Sequence, residues 1–346
     1  MIVFHISGEN EELAKEELRS LYEAYGKLFS VSVEEGLLLL ATNDLDENAL
    51  SRLAFTHESY IVEKLTDRKK LDGLLLELEI KKGQSFCVRC LGFDNNSEEE
   101  RRAGEVIYES KRNKVDLWKP DVAVYLIKIK DMILVSTRRI GTDDFSKRDQ
   151  NKRPFFRPVA LQPKFARLLV NLARLKKGDT ALDPFCGAGS ILIEAVVMGI
   201  KPIGRDLDRK MVWGCRRNLD FYNLKADVDI GDATDIKLSS VYGLRSSSRQ
   251  DLLRVAKRGP KTVDAIVTDP PYARASKMFT KDLKKLYLDF LKSTFKVLKK
   301  GGYLVAAAPT TKDFPWKAAG FEKVAHYDYY VHASLTRRIY ILRRPK

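Results

Sequence analysis

"DTALDPFCGAGSILIEAVVMG", residues 179–199, passes from a short apolar strand through an acid and a glycine turn into an apolar helix. Gly187 and Gly189 let the backbone turn tightly and approach a ligand, and Asp183 ends the strand at the mouth of that turn. Working outward, "KPIGRD" reads as a strand closed by Asp206 and "RKMVWGCRRNLDFYN" as a helix, while "ADVDIGD", "VDAIVTD" and "GGYLVAAAP" read as further strands. Strands alternating with helices predict a mostly parallel, Rossmann-like α/β domain over residues 161–346, with ligands at the carboxyl ends of its strands. A Ser-rich, basic insertion at 239–262 interrupts the pattern and reads either as a surface loop or as an extra substrate contact.

The turn lacks the third glycine of G-x-G-x-x-G, which argues against a dinucleotide. An acid stands where a phosphate would otherwise sit, and acids suit a cation. S-adenosylmethionine carries two cationic groups, an ammonium and a sulfonium. Asp206 is placed for ribose hydroxyls, and in "GDATD" Asp232 is placed for an adenine amino group with the Ala233 N–H on a ring nitrogen. Phe185, in the glycine turn, completes the candidate cofactor set.

"IVTDPPYARAS", residues 266–276, sets two prolines at the tip of a buried strand. Proline fixes φ and removes a donor, so Pro270 and Pro271 stiffen the turn and hold its carbonyls outward. Together with the Asp269 carboxylate they offer acceptors for the N–H groups of a planar amine, and Tyr272 offers a ring on which a base can stack. Asp269-Pro-Pro-Tyr272 looks like the signature of methyltransferases that modify exocyclic amines; alone it leaves adenine, cytosine, guanine and glutamine amides open.

The chain has 346 residues, too many for one small core, and 62 Lys and Arg against 47 Asp and Glu give a formal charge of +15. That excess points to a polyanion such as nucleic acid. No stretch approaches the roughly 20 apolar residues of a membrane span, and "MIVFHISGEN" lacks a signal-peptide pattern, so the expectation is a soluble, cytoplasmic protein. Cys87 and Cys90 sit in an alternating strand pattern without a second pair at zinc spacing, so no metal site is expected.

Residues 1–65 alternate in the β-α-β-β-α-β order of a ferredoxin-like domain. Residues 66–140 form a second mixed unit, with a helix in "SEEERRAGEVIYESKR" expected to be capped by Ser97 and Glu100. A basic, proline-rich stretch at 141–160 reads as an extended linker, with Phe155 and Phe156 stapling it to the next domain. Arg138, Arg139, Arg148, Lys152, Arg153 and Arg157, with Arg89 upstream, are the candidate contacts to RNA phosphates.

"CVRC" with "KVDLWKPDVAVYLIKIKDMILVS" resembles a THUMP domain, an RNA-binding module of tRNA-modifying enzymes. "RPFFRPVALQPKFARLLVNLAR" and "VHASLTRRIYIL" are similar to segments of the THUMP-containing tRNA guanosine N2-methyltransferases, most closely the archaeal and eukaryotic family acting on guanosine 10. The resemblance covers nearly the whole chain. It implies a class I methyltransferase domain preceded by ferredoxin-like and THUMP domains, S-adenosylmethionine on Asp183, Asp206 and Asp232, catalysis by Asp269 to Tyr272, and tRNA as partner. Ala273 departs from the glycine that many relatives place after the tyrosine. Another guanosine of tRNA or rRNA, a DNA adenine N6-amine, and an inactive RNA-binding shell are the competing readings; the need for a small activating subunit stays open.

Overall fold

The computed structural model describes residues 1–158, 160–238, 262–272 and 283–346, so Ala273 and nearly all of the 239–262 insertion lie outside the described residues. The chain divides into two compact units. The first holds Met1–Lys15, Lys27–Ser51 and Phe55–Asp143; the second holds Glu16–Gly26, Arg52–Ala54 and Asp144–Lys346.

The N-terminal region runs β1 (Ile2–Ile6), α1 (Glu11–Ala24), β2 (Val31–Glu35), β3 (Leu38–Ala41), α2 (Glu47–Leu50) and β4 (Thr56–Ile61). It continues with β5 (Lys64–Thr66), α3 (Leu71–Leu76), β6 (Phe86–Leu91), α4 (Asn96–Lys111), β7 (Val122–Ile129), β8 (Met132–Ser136) and β9 (Arg138–Gly141). An antiparallel sheet has the order β2-β3-β1-β4-β9, and a mixed sheet, in which β6 and β7 are parallel, has the order β5-β8-β7-β6. Two strands therefore cross the expected boundaries at 65/66 and 140/141. β5 pairs with β8, and β9 returns to pair with β4. Val3, Leu38, Leu40 and Tyr60 of the first sheet pack against Ile127, Ile129 and Leu134 of the second. Leu71, Leu75, Ala103 and Ile107 of α3 and α4 cover the other face through Val124 and Leu126. Buried on both faces, β7 reads as a nearly continuous apolar run.

The cap of α4 lies two residues earlier than Ser97. Asn95 accepts from the Glu98 N–H and donates back to the Glu98 carboxylate, each at 3.2 Å. Glu100 is used elsewhere, accepting from the Cys90 N–H at 2.9 Å. "NNSEEE" offers overlapping caps, and the tertiary contact of Glu100 separates them.

The second unit contains α5 (Pro163–Leu172), β10 (Thr180–Asp183), α6 (Ser190–Val197), β11 (Lys201–Asp206), α7 (Arg209–Phe221), β12 (Asp227–Ile230) and β13 (Val263–Thr268). It ends with the helix Leu283–Val297, here α8, then β14 (Leu298–Pro309), β15 (Glu322–His332) and β16 (Leu335–Arg343). These strands make a seven-stranded Rossmann-like sheet in the order β12-β11-β10-β13-β14-β16-β15. The pairs from β12 to β14 are parallel; β16 pairs antiparallel with both β14 and β15. Because successive strands leave β10 in opposite directions, a crevice opens at the carboxyl ends of β10 and β13, where such sheets bind ligands.

Residues 144–158 do not form an extended linker. Short 3-10 turns at Phe145–Arg148 and Gln150–Lys152 bring Arg148 and Arg153 into the interior of the second unit. Arg148 Nε donates to Glu194 at 2.7 Å, and Arg167 of α5 meets the other oxygen of Glu194 at 2.8 Å. Arg153 donates to Ser190 Oγ at 2.6 Å. Phe155 does act as a staple: its N–H meets Asn218 Oδ1 at 2.9 Å, and its ring lies where any side chain at Gly214 would collide with it. Residues 16–26 and 52–54 join this unit through polar contacts, Arg174 reaching Glu16 and Glu23 while Asn171 bonds Glu17 and Arg52.

Glu194 is fully buried between two guanidinium groups, so removing its charge leaves two cations inside without their carboxylate. Glu194→Gln, which preserves shape, should lower unfolding stability by about 3 kcal/mol. Urea titration should show this as a lower midpoint with an unchanged slope.

Candidate functional site

Four acids stand at the carboxyl edge of the sheet: Asp183 ends β10, Asp206 ends β11, Asp232 follows β12 and Asp269 follows β13. Asp183 is buried and accepts from the Thr268 hydroxyl at 2.8 Å and the Phe185 N–H at 3.1 Å. Burial pushes its carboxyl up to about 7 despite these bonds, and the neighbouring Asp206 and Asp269 add to the rise. Asp206 accepts from the Gly187 and Asp208 N–H groups at 2.9 Å each, and burial raises it too. The donors described on both acids are neutral. A site with concentrated, incompletely balanced negative charge fits a cationic ligand, and S-adenosylmethionine meets that requirement.

The turn that carries this edge needs its glycines. Gly187 and Gly189 have φ of 50° and 88°, in the left-handed region, and a Cβ on Gly189 would lie 2.6 Å from Cys215 Sγ of α7. Asp232 is exposed and accepts from the Thr234 N–H and hydroxyl, which shapes the loop, while Ala233 is buried against the core. Phe185 is half-buried with its ring edge-on to Phe290 of α8, 5.2 Å between centroids.

The Asp269–Tyr272 turn is held at several points. Pro271 C=O accepts from the Tyr287 hydroxyl of α8 at 3.0 Å. The Tyr272 hydroxyl donates to Asp269 Oδ1 and lies 3.2 Å from Ala307 C=O. Burial raises the Asp269 carboxyl above its ordinary value, while Arg337 and the Tyr272 hydroxyl act the other way. Thr268, the residue before Asp269, supplies the hydroxyl that bonds Asp183, so the candidate cofactor strand and the candidate catalytic strand are linked directly.

Arg337 is the residue that sequence reasoning missed. Its Nε donates to the Tyr272 hydroxyl at 2.9 Å, and its Nη2 lies 3.5 Å from Asp269 Oδ2. A signal was present in "TRRIYIL": alternation along a strand puts Arg337 on the same face as Ile339 and Ile341, which are buried.

The basic residues separate into two groups. Arg148 and Arg153, expected on RNA, are committed to Glu194 and Ser190 in the interior; the reading of the stretch as an extended linker overlooked carboxylate and hydroxyl partners supplied by α6. Arg157 packs its guanidinium over the Phe155 ring at 5.2 Å, and Lys152 is exposed. In the first unit, Arg138 and Arg139 are exposed with ion pairs to Glu47 and Glu58, and Arg89 donates to the Leu117 carbonyl. Cys87 and Cys90 are free thiols on β6.

Residues 150–339 match the family UPF0020: RMKL-like, methyltransferase domain. The tRNA (guanine(10)-N2)-dimethyltransferase of Methanothermobacter thermautotrophicus is 36% identical over 98% of each chain. The enzyme of the same name from Pyrococcus abyssi is 33% identical over 99% of each. Among solved structures, TrmN from Thermus thermophilus shares the fold, with a TM-score of 0.53 over 99% of both chains at 21% identity. With an acid-lined carboxyl edge, a proline-stiffened Asp269–Tyr272 turn and full-length similarity at this level, the chain belongs to the UPF0020, RMKL-like methyltransferase family and, within it, to the tRNA (guanine(10)-N2)-dimethyltransferases.

Proposed function

We propose that this chain methylates the exocyclic N2 amine of guanosine 10 in tRNA, adding one methyl group and then a second. The bond between Thr268 and Asp183 is the observation that carries the reading, because it places the amine-acceptor turn beside the acids suited to the methyl donor. Asp183, Asp206 and Asp232, with the glycine turn and Ala233, would hold S-adenosylmethionine. When bound, that cofactor supplies a methyl group on a positively charged sulfur that departs as a neutral thioether.

An aryl amine is a poor nucleophile because its lone pair is delocalised into the ring. Asp269 and the Pro270 carbonyl each take one N–H, which favours a pyramidal nitrogen and stabilises the positive charge that develops as the N–C bond forms. Pro271 has a different role: its carbonyl, taken by Tyr287, anchors the turn. Tyr272, held at its hydroxyl, offers its ring to the guanine and fixes the amine in line for transfer. The methylated nitrogen then loses a proton, and no base is needed before attack. For the second transfer one N–H remains, so a single acceptor carries the charge.

We further propose that the N-terminal sheet with α1 and α2 is the ferredoxin-like element and that the sheet holding β6 to β8 is the THUMP module. Arg89, Arg138, Arg139, Lys152 and Arg157 remain the candidate phosphate contacts. Such contacts position a folded RNA without reading its sequence, and the target base leaves its stack to reach the turn.

Nucleoside mass spectrometry of an unmodified tRNA transcript incubated with S-adenosylmethionine tests this directly. Wild type should yield N2-methylguanosine and N2,N2-dimethylguanosine at position 10, and Asp269→Ala should lower the rate about 100-fold or more. Calorimetry should show cofactor affinity nearly unchanged in Asp269→Ala and lost in Asp206→Ala. Product on adenine, or none, would refute the assignment.

The acids also predict a pH dependence of stability. Asp183 titrates near 7 when folded and at 3.8 ordinarily, so the folded chain retains a proton that the unfolded chain has lost. Its contribution is fully present below about 4 and is lost as pH rises to about 7. In free protein, Asp183→Asn should flatten the decline in unfolding free energy, read from urea titrations between pH 4 and 7, by an amount on the order of a few kcal/mol.

A further inference from the structure

We infer that Arg337 is a positioning residue for methyl transfer, holding Asp269 as the carboxylate that accepts the amine N–H and fixing the tilt of the Tyr272 ring through its hydroxyl. The inference rests on the function proposed above and adds a residue outside the Asp269–Tyr272 motif.

Three observations converge on this role. The first is the fork: Nε serves Tyr272 at 2.9 Å and Nη2 faces Asp269 at 3.5 Å, so one rigid planar group contacts both functional side chains of the turn. The second is that the fork is itself fixed. Arg337 is only 9% exposed, its guanidinium lies 5.5 Å from the Phe165 ring centroid and 5.8 Å from that of Tyr272, and Phe165 stacks on Tyr329 at 4.6 Å. In the sheet, Arg337 is paired with Pro309 of β14 and Tyr329 of β15, so its backbone is held on both sides. The third is electrostatic. Among the described residues, the titratable groups that face Asp269 are Tyr272 in the turn and Arg337 from β16, which act on its carboxyl, and Asp183 from β10 and Tyr287 from α8, which its charge raises. Of these, Arg337 alone is a cation. Burial favours the neutral acid, which would present a donor to the amine where an acceptor is required, and Arg337 opposes it.

Lysine can restore the charge but cannot reproduce the fork, so the two parts of the role can be separated. Arg337→Met should lower kcat at neutral pH at least about tenfold, leave KM for tRNA within about threefold, and shift the acid limb of the kcat/KM profile upward by about one pH unit. Arg337→Lys should restore the limb but only part of kcat, because Tyr272 loses its tether. Tyr272→Phe, which removes a hydrogen bond to Asp269 but keeps the cation, should lose rate and move the limb upward by less than Arg337→Met does.

A second readout needs no turnover: carbon NMR of aspartate-labelled free protein, with the Asp269 carboxyl assigned by its loss in Asp269→Asn. Its titration midpoint should rise by about one unit in Arg337→Gln and stay near wild type in Arg337→Lys. If Arg337→Met merely scales the wild-type pH profile, or Asp269 titrates alike in wild type and Arg337→Gln, the positioning role is overturned while the proposed function stands. If wild type forms no N2-methylguanosine, the functional reading fails, and the role in that transfer with it, whatever the titration shows.

Discussion

The 2.8 Å bond from the Thr268 hydroxyl to the Asp183 carboxylate joins the ends of β10 and β13. A doubly wound sheet splays at its switch point because the connections on the two sides depart in opposite directions. Crossing that divide with a buried hydrogen bond fixes the spacing between the acid-lined turn on one side and the Asp269 turn on the other. Transfer between two bound molecules depends on that spacing, since a misplacement of about 1 Å can cost two orders of magnitude in rate. Neither partner is generic: Thr268 has no exposed surface, and Asp183 carries the strain of a carboxyl kept from water.

Buried arginine recurs across the second unit, each time as a solution to a different problem. Arg148 and Arg167 neutralise Glu194; Arg174 serves Glu16 and stacks over Tyr303 at 4.5 Å; Arg337 faces Asp269. The planar guanidinium suits all three because it forms hydrogen bonds at its edge while its faces remain compatible with aromatic rings. A chain rich in arginine thus places part of it inside beside carboxylates, where those guanidinium groups are committed and do not face an external anion.

What could be read in advance was short-range. The strand-end acids, the glycine turn and Asp269–Tyr272 declare themselves because strand, turn and side chain lie within a few residues of one another. What escaped depended on partners far along the chain. Arg148 reads as solvated until Glu194, 46 residues on, is seen beside it, and Arg337 reads as surface charge until the sheet brings it to Tyr272, 65 residues earlier. The exchange of β5 and β9 between sheets is equally invisible to periodicity, which reports that a strand exists but not its neighbour. The α4 cap was ambiguous for a different reason, since "NNSEEE" supports more than one register of the same local motif.

Membership of residues 16–26 and 52–54 in the second unit affects how the chain matures. Glu16, Glu17 and Glu23 precede their partners by long stretches of chain: Asn171 and Arg174 follow more than 150 residues later, Tyr303 and Tyr327 280 and 311 residues later. Vectorial synthesis favours domains that close as they emerge. Here the carboxylates wait for partners 154 to 311 residues further along, so this part of the second unit cannot close until Tyr327 has been made, and a cut that kept residues 144–346 alone would leave Asn171, Arg174, Tyr303 and Tyr327 without them.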